Sequence, residues 1–134
     1  KKIKKVFNKV IKQKDLNFKY NCNYFLNLIF INDKEITKLN FKYKNKKNTT
    51  DVLTFVSKPK YLEQYVFCDI FFSAETLNKD AKRNNIDFYD HFTHIFVHSC
   101  LHINGFKHKK TKDYKIMKNL EIKILQNFGI NKPY

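Results

Sequence analysis

The apolar positions along the chain change their period several times, and each change marks an element. Ile3, Val6, Phe7, Val10 and Ile11 recur at helical spacing, which predicts an amphipathic first helix with its lysines in water. YFLNLIFI, Tyr24 to Ile31, is apolar nearly throughout and of strand length, so it reads as a buried strand. Asp33 then serves as the cap of a second helix through about Tyr43, with Ile36 and Leu39 facing inward. KNKKNTT is a polar loop leading into DVLTFVS, a β-branched and aromatic strand, and Pro59 marks the turn that follows.

QYVFCDIFFS, Gln64 to Ser73, reads as a strand buried on both faces, and AETLNKDAKRNN has helix-forming composition. Asp87 opens another helix, with Asp90 three residues on, which runs through HFTHIFVHSCLHI. Gly105 stands where that helix must stop and the chain turn, and Gly129 ends a last helix, roughly Asp113 to Phe128. The order predicts a single α+β domain over residues 1–134: a small, about four-stranded sheet flanked by helices, with a central buried helix that carries histidines.

Composition changes this picture little. At 134 residues, 43% hydrophobic and 16% aromatic, the chain is a globular domain and not a disordered one. The net charge of +15 suits an anionic partner such as RNA. Arg83, however, is the sole arginine among 27 basic residues, and a lysine excess beside abundant Asn, Ile and Phe points to an AT-rich coding sequence. Lysines of that origin coat every face, whereas phosphate readers concentrate arginine. Cys22, Cys68 and Cys100 are odd in number and form no CxxC pair, which argues against a disulfide framework and for a reducing compartment. No run approaches the roughly 20 apolar residues of a membrane span. The basic N-terminal segment lacks a secretory apolar region. The expected location is cytoplasmic, with an organellar matrix as second choice.

The chemistry is concentrated in HSCLHINGFKH, His98 to His108. On a helical period His94, His98 and His102 fall within about 80° of one face, joined by His91. Phe88, Phe92, Phe96, Cys100, Leu101 and Ile103 fill most of the remaining circumference, so the helix is buried, and each buried imidazole needs a hydrogen-bond partner or a metal. A turn at Gly105 brings His108 back toward His98 and His102, giving three imidazoles for one zinc at Zn–N distances of about 2.0–2.1 Å. Three nitrogen ligands leave a fourth position open, and water held there by His98, His102 and His108 becomes a nucleophile, its pKa falling to about 7. Imidazole also suits nickel, copper and iron, so the spacing leaves the metal's identity open.

The spacing HxxxHxxGxxH is shared with metzincin peptidases, which place a glutamate directly after the first histidine as general base. Here that position is Ser99, whose neutral hydroxyl cannot relay the proton, so the peptidase becomes a minor alternative. A phosphodiester instead needs a metal and nearby cations to offset charge on its non-bridging oxygens, and a basic chain suits it.

The same eleven residues resemble the signature H-G-x-L-H-L-x-G-Y-D-H of YbeY, the bacterial endoribonuclease and rRNA maturation factor family. TDVLTF from Thr50 to Phe55 resembles the family's T-D/N-V-L-S-F strand, and CDIFFS resembles its G-D-I-x-I-S strand. HFTHIFVH fits the helix leading into the signature, and MKNLEIKIL resembles the closing helix at Met117 and Glu121. These blocks stand in family order over roughly residues 24 to 128. The resemblance implies an α+β fold, one zinc ion per chain on His98, His102 and His108, and action on single-stranded RNA in 16S rRNA 3′-end maturation and ribosome quality control. It implies the small ribosomal subunit, ribosomal protein S11 and the GTPase Era as partners, and no membrane.

Three departures from the family pattern stand out. Lys44 occupies the place of an arginine proposed to serve catalysis, and lysine lacks the planar fork that clamps a phosphate. Ser99 and Cys68 replace glycines. Lys44 is therefore the candidate phosphate-binding cation, with a solvated surface lysine as the competing reading. Asp69 and Thr50 are candidates for orienting ligands or for satisfying the sheet's ends, His94 for a supporting, RNA-contacting or core histidine, and Glu121 for a structural salt bridge. Two functions stay open on the residues: a zinc-dependent endoribonuclease, and a ribosome-assembly factor whose metal chiefly holds the fold.

Overall fold

The computed structural model describes residues 2–11, 23–61, 64–103 and 111–130. In chain order the elements are α1 (Lys2–Ile11), β1 (Asn23–Ile31), α2 (Asp33–Lys44), β2 (Val52–Ser57), β3 (Tyr65–Ser73), α3 (Ala74–Arg83), α4 (Phe88–Ile103) and α5 (Thr111–Gln126). The class is α+β, as the pattern predicts. Among the described residues the sheet has three strands, where about four were expected. The three segments whose pattern reads as strand, residues 24–31, 51–57 and 64–73, each make one strand, and no other described segment adds a fourth. Two compact units emerge, one comprising Asn21–Phe88 and the other drawn from Lys1–Tyr20 with Tyr89–Tyr134.

In the Asn21–Phe88 unit the strand order is β1-β3-β2. β1 lies parallel to β3, in register from Asn23 opposite Tyr65 to Ile31 opposite Ser73. β2 lies antiparallel to β3, from Val52 opposite Phe72 to Ser57 opposite Phe67. Successive side chains of a strand point to opposite faces, and in β3 this puts Val66, Cys68, Ile70 and Phe72 in the core. Phe67 and Asp69 on the other face are exposed, so β3 is not buried on both faces as its composition suggested. Its exposed aromatic is half covered by neighbours: Phe25 stacks on Phe67 at 5.3 Å and on Tyr65 at 5.7 Å. β1 is likewise not the buried strand its run of apolar residues predicted. It is an edge strand, with Phe25 and Phe30 exposed by 47% and 50%.

The helices of this unit start where side chains satisfy their first N–H groups. The cap of α2 is Asn32, one residue before the expected Asp33, and its side chain accepts from the Glu35 N–H at 2.8 Å. Asp33 is freed by that shift to bind Ser73 and Thr76 at the start of α3, where Ser73 is the cap. α2 buries Ile36 and ends at Asn45, which adopts a left-handed conformation (φ 53°) while its N–H donates to the Phe41 carbonyl at 3.0 Å. Asn is one of the few residues other than glycine that tolerate this backbone.

In the other unit, α1 buries Val6, Phe7 and Val10 and exposes Lys4, Lys5 and Lys9, the amphipathic division read from the sequence. α4 is buried on nearly every side, with Phe96, Val97, Cys100 and Leu101 fully inaccessible. α5 buries Met117, Leu120, Glu121, Ile124 and Leu125. It begins two residues before the expected Asp113 and gives way at Gln126 to a turn through Gly129. There the positive φ of Gly129 (77°) lets the Ile130 N–H return to the Leu125 carbonyl. No described helix is long and apolar enough to cross a membrane.

Candidate metal centre

Residues four apart on a helix stand above one another, and in α4 this stacks His98 and His102. Their Nε2 atoms converge to 3.0 Å, with ring centroids 4.6 Å apart and planes at 78°. Two unprotonated Nε2 atoms this close repel through their lone pairs, so a proton or a cation must lie between them. A tetrahedral zinc with bonds of about 2.0–2.1 Å holds ligand nitrogens about 3.3 Å apart, close to the separation seen here.

The far side of His98 meets α5. Its Nδ1 lies 2.7 Å from Glu121 Oε1, at hydrogen-bond distance, and His94 Nε2 lies 3.5 Å from the same oxygen. Glu121 is 1% exposed. A buried carboxylate requires charged or hydrogen-bonding partners, and the two histidines supply them from successive turns of α4. The donor set is thus a pair of imidazole nitrogens with a carboxylate behind one of them, an arrangement suited to zinc. Among the described residues no three His, Cys, Asp or Glu are placed so that all could hold one metal ion. His108 and Gly105 lie outside the described residues, and so does the expected third ligand position.

The other residues singled out in the sequence have definite places. Ser99 is fully buried and its hydroxyl donates to the Ile95 carbonyl at 3.1 Å, turned to the helix backbone and unable to serve as a base. Cys100 is a buried core residue. Lys44 belongs to the other unit, exposed in the last turn of α2, where a cation also complements the carbonyl end of the helix. Thr50 donates to the Val52 carbonyl at 3.3 Å, and Asp69 accepts from the Asn27 amide at 3.0 Å, both partners within their own unit. From the sequence alone Glu121 is only half of a structural ion pair. Its signal was a carboxylate set in the apolar stripe Met117, Leu120, Ile124 of α5, where a charge needs a reason.

A family model described as Endoribonuclease YbeY matches residues 1–129. The chain belongs to the endoribonuclease YbeY family. An endoribonuclease YbeY of Ruthia magnifica subsp. Calyptogena magnifica is 38% identical over 105 residues, covering 78% of this chain and 72% of that one. The endoribonuclease YbeY of Francisella tularensis subsp. tularensis strain WY96-3418 is 33% identical over 114 residues, covering 81% and 70%. The solution structure of TM1509 from Thermotoga maritima superposes with a TM-score of 0.57 at 19% identity, covering 98% of this chain and 85% of that one, which shows a shared fold. Membership in the YbeY family supports a hydrolase acting on RNA.

Proposed function

We propose that the protein is a zinc-dependent, single-strand-specific endoribonuclease acting in 16S rRNA 3′-end maturation and ribosome quality control, in the cytoplasm. Family membership supports a hydrolase acting on RNA. The observation that carries the metal reading is the convergence of His98 and His102 Nε2 at 3.0 Å with a buried carboxylate behind His98. In this reading His98, His102 and His108 hold one zinc ion, which supplies Lewis acidity toward a phosphoryl oxygen when bound.

The chain's own residues do the rest. α4 carries both imidazoles one turn apart, with their Nε2 atoms converging to 3.0 Å. Lys44 is the cation that offsets charge on a phosphate oxygen. Ser99, engaged with Ile95, takes no proton. The RNA partner is the 16S precursor on the small ribosomal subunit, with ribosomal protein S11 and the GTPase Era as contacts.

Incubating a single-stranded 16S 3′-end RNA with wild type and with His102→Ala tests this. Cleavage by wild type, lost in the variant and on chelation, is expected. If both proteins are equally inactive yet both bind pre-ribosomal particles, the protein is an assembly factor and the metal chiefly structural. A casein digest is expected to show no cleavage.

A further inference from the structure

We infer that Glu121 is a positioning residue: its carboxylate fixes the tautomer of His98, so that the nitrogen facing His102 is the one without a proton. The inference rests on the metal reading above and adds a residue that acts through His98. A carboxylate accepts hydrogen bonds and donates none, so the 2.7 Å contact places a proton on His98 Nδ1. The neutral ring then carries its lone pair on Nε2, and that atom points at His102 Nε2, 3.0 Å away. Without Glu121 the imidazole is free to hold its proton on Nε2, where it would block a metal.

The same contact sets the ring plane, because the carboxylate comes from α5 while the imidazole comes from α4. Burial makes the constraint firm: the Glu121 side chain is 2% exposed, and Met117 and Ile124 one turn to either side are buried as well. His94 Nε2, 3.5 Å from the same carboxylate oxygen, is too far for a strong hydrogen bond but adds a second polar neighbour. A carboxylate retained only to tie α5 to α4 would leave the tautomer and the metal affinity alone.

Two measurements separate these roles. In the metal-free wild-type protein, long-range proton–nitrogen NMR of the histidine side chains is expected to show His98 with its proton on Nδ1; a proton on Nε2 overturns the inference without any variant. Zinc affinity is then measured by competition with a chromophoric chelator. Glu121→Met, close in volume but unable to accept, is expected to bind zinc 10–100-fold more weakly than wild type. Glu121→Gln, whose amide oxygen can still accept from Nδ1, is expected to lie between the two and to retain the wild-type tautomer. Equal zinc affinity in wild type and both variants, each folded by circular dichroism, overturns the inference while leaving the metal reading intact. If wild type itself takes up no zinc, the metal reading fails, and the inference with it.

Discussion

The Ser73 hydroxyl donates to the Asp33 carboxylate across forty residues of chain, joining the first turns of two helices. Thr76 adds a second hydroxyl at 2.6 Å, and Lys79 stands 3.7 Å from the other oxygen. In return the Asp33 N–H donates to Glu75 at 3.1 Å. The hydrogen bonds from Ser73 and Thr76, then the charge of Lys79, outweigh desolvation and hold the Asp33 carboxyl below its ordinary value of 3.8.

Replacing Asp33 by Ala is expected to cost about 1–3 kcal/mol near neutral pH, since two hydroxyls lose their acceptor. The folded-state pKa is lowered, so the ionised form's contribution is complete above the unfolded value. It is lost as pH falls from 3.8 through the lower folded value. Urea unfolding of wild type and Asp33→Ala at pH 7 and at several points below pH 4 checks this, and a gap that does not narrow in acid argues against it.

Cys68 lies fully buried in the sheet, and burial pushes its thiol up to about 11, with Asp69 raising it further and Lys58 opposing. The thiolate is the reactive form. Iodoacetamide at pH 8 is therefore expected to leave Cys68 unmodified in the native protein and to alkylate it in denaturant, as peptide mass mapping would show. Native labelling comparable to the denatured sample would count against the buried placement.

Metal removal gives a third expectation. Dialysis against chelator is expected to abolish RNA cleavage and a stoichiometric return of zinc to restore it. Zinc at 100 times its dissociation constant is expected to stabilise wild type by about 2.7 kcal/mol and to leave His98→Ala unchanged. Thermal melts with and without zinc read the difference directly.

Ser99 offers a fourth. Converting it to glycine, the residue of the family signature, removes the bond to the Ile95 carbonyl and places the poorest non-proline helix former inside α4. A loss of about 0.5–1 kcal/mol is expected with cleavage unaltered. A large fall in cleavage by folded Ser99→Gly would mean that the hydroxyl takes part in the reaction.

The sequence made most of the elements legible because period and composition agreed: the helical spacing of Val6, Phe7 and Val10, and the histidines four apart in an apolar helix. It misjudged the exposure of β1 and β3, since an apolar run does not say whether a strand lies at an edge or in the middle of a sheet. The cap of α2 fell one residue early because Asn32 and Asp33 are both good caps, and the partner of Asp33 lies forty residues away. For the same reason the role of Glu121 is not legible in the sequence. Its partner His98 is 23 residues distant, and only the packing of α5 on α4 reveals which ring nitrogen it meets.

The strand order β1-β3-β2 also sets a timetable for synthesis. Asn27 pairs with Asp69, 42 residues later, so the ribosome makes the whole of β1 before any of its partner exists. At about 5–20 residues per second, that leaves the nascent strand waiting for roughly 2–8 s. β2 and β3 are neighbours in sequence and can close their hairpin at once, but the aromatic strand that precedes them must stay unpaired meanwhile. During this interval the nascent chain offers Tyr24, Phe25 and Phe30 to any passing hydrophobic surface. Production in cells would then depend on chaperone supply and elongation rate more than the stability of the finished fold suggests.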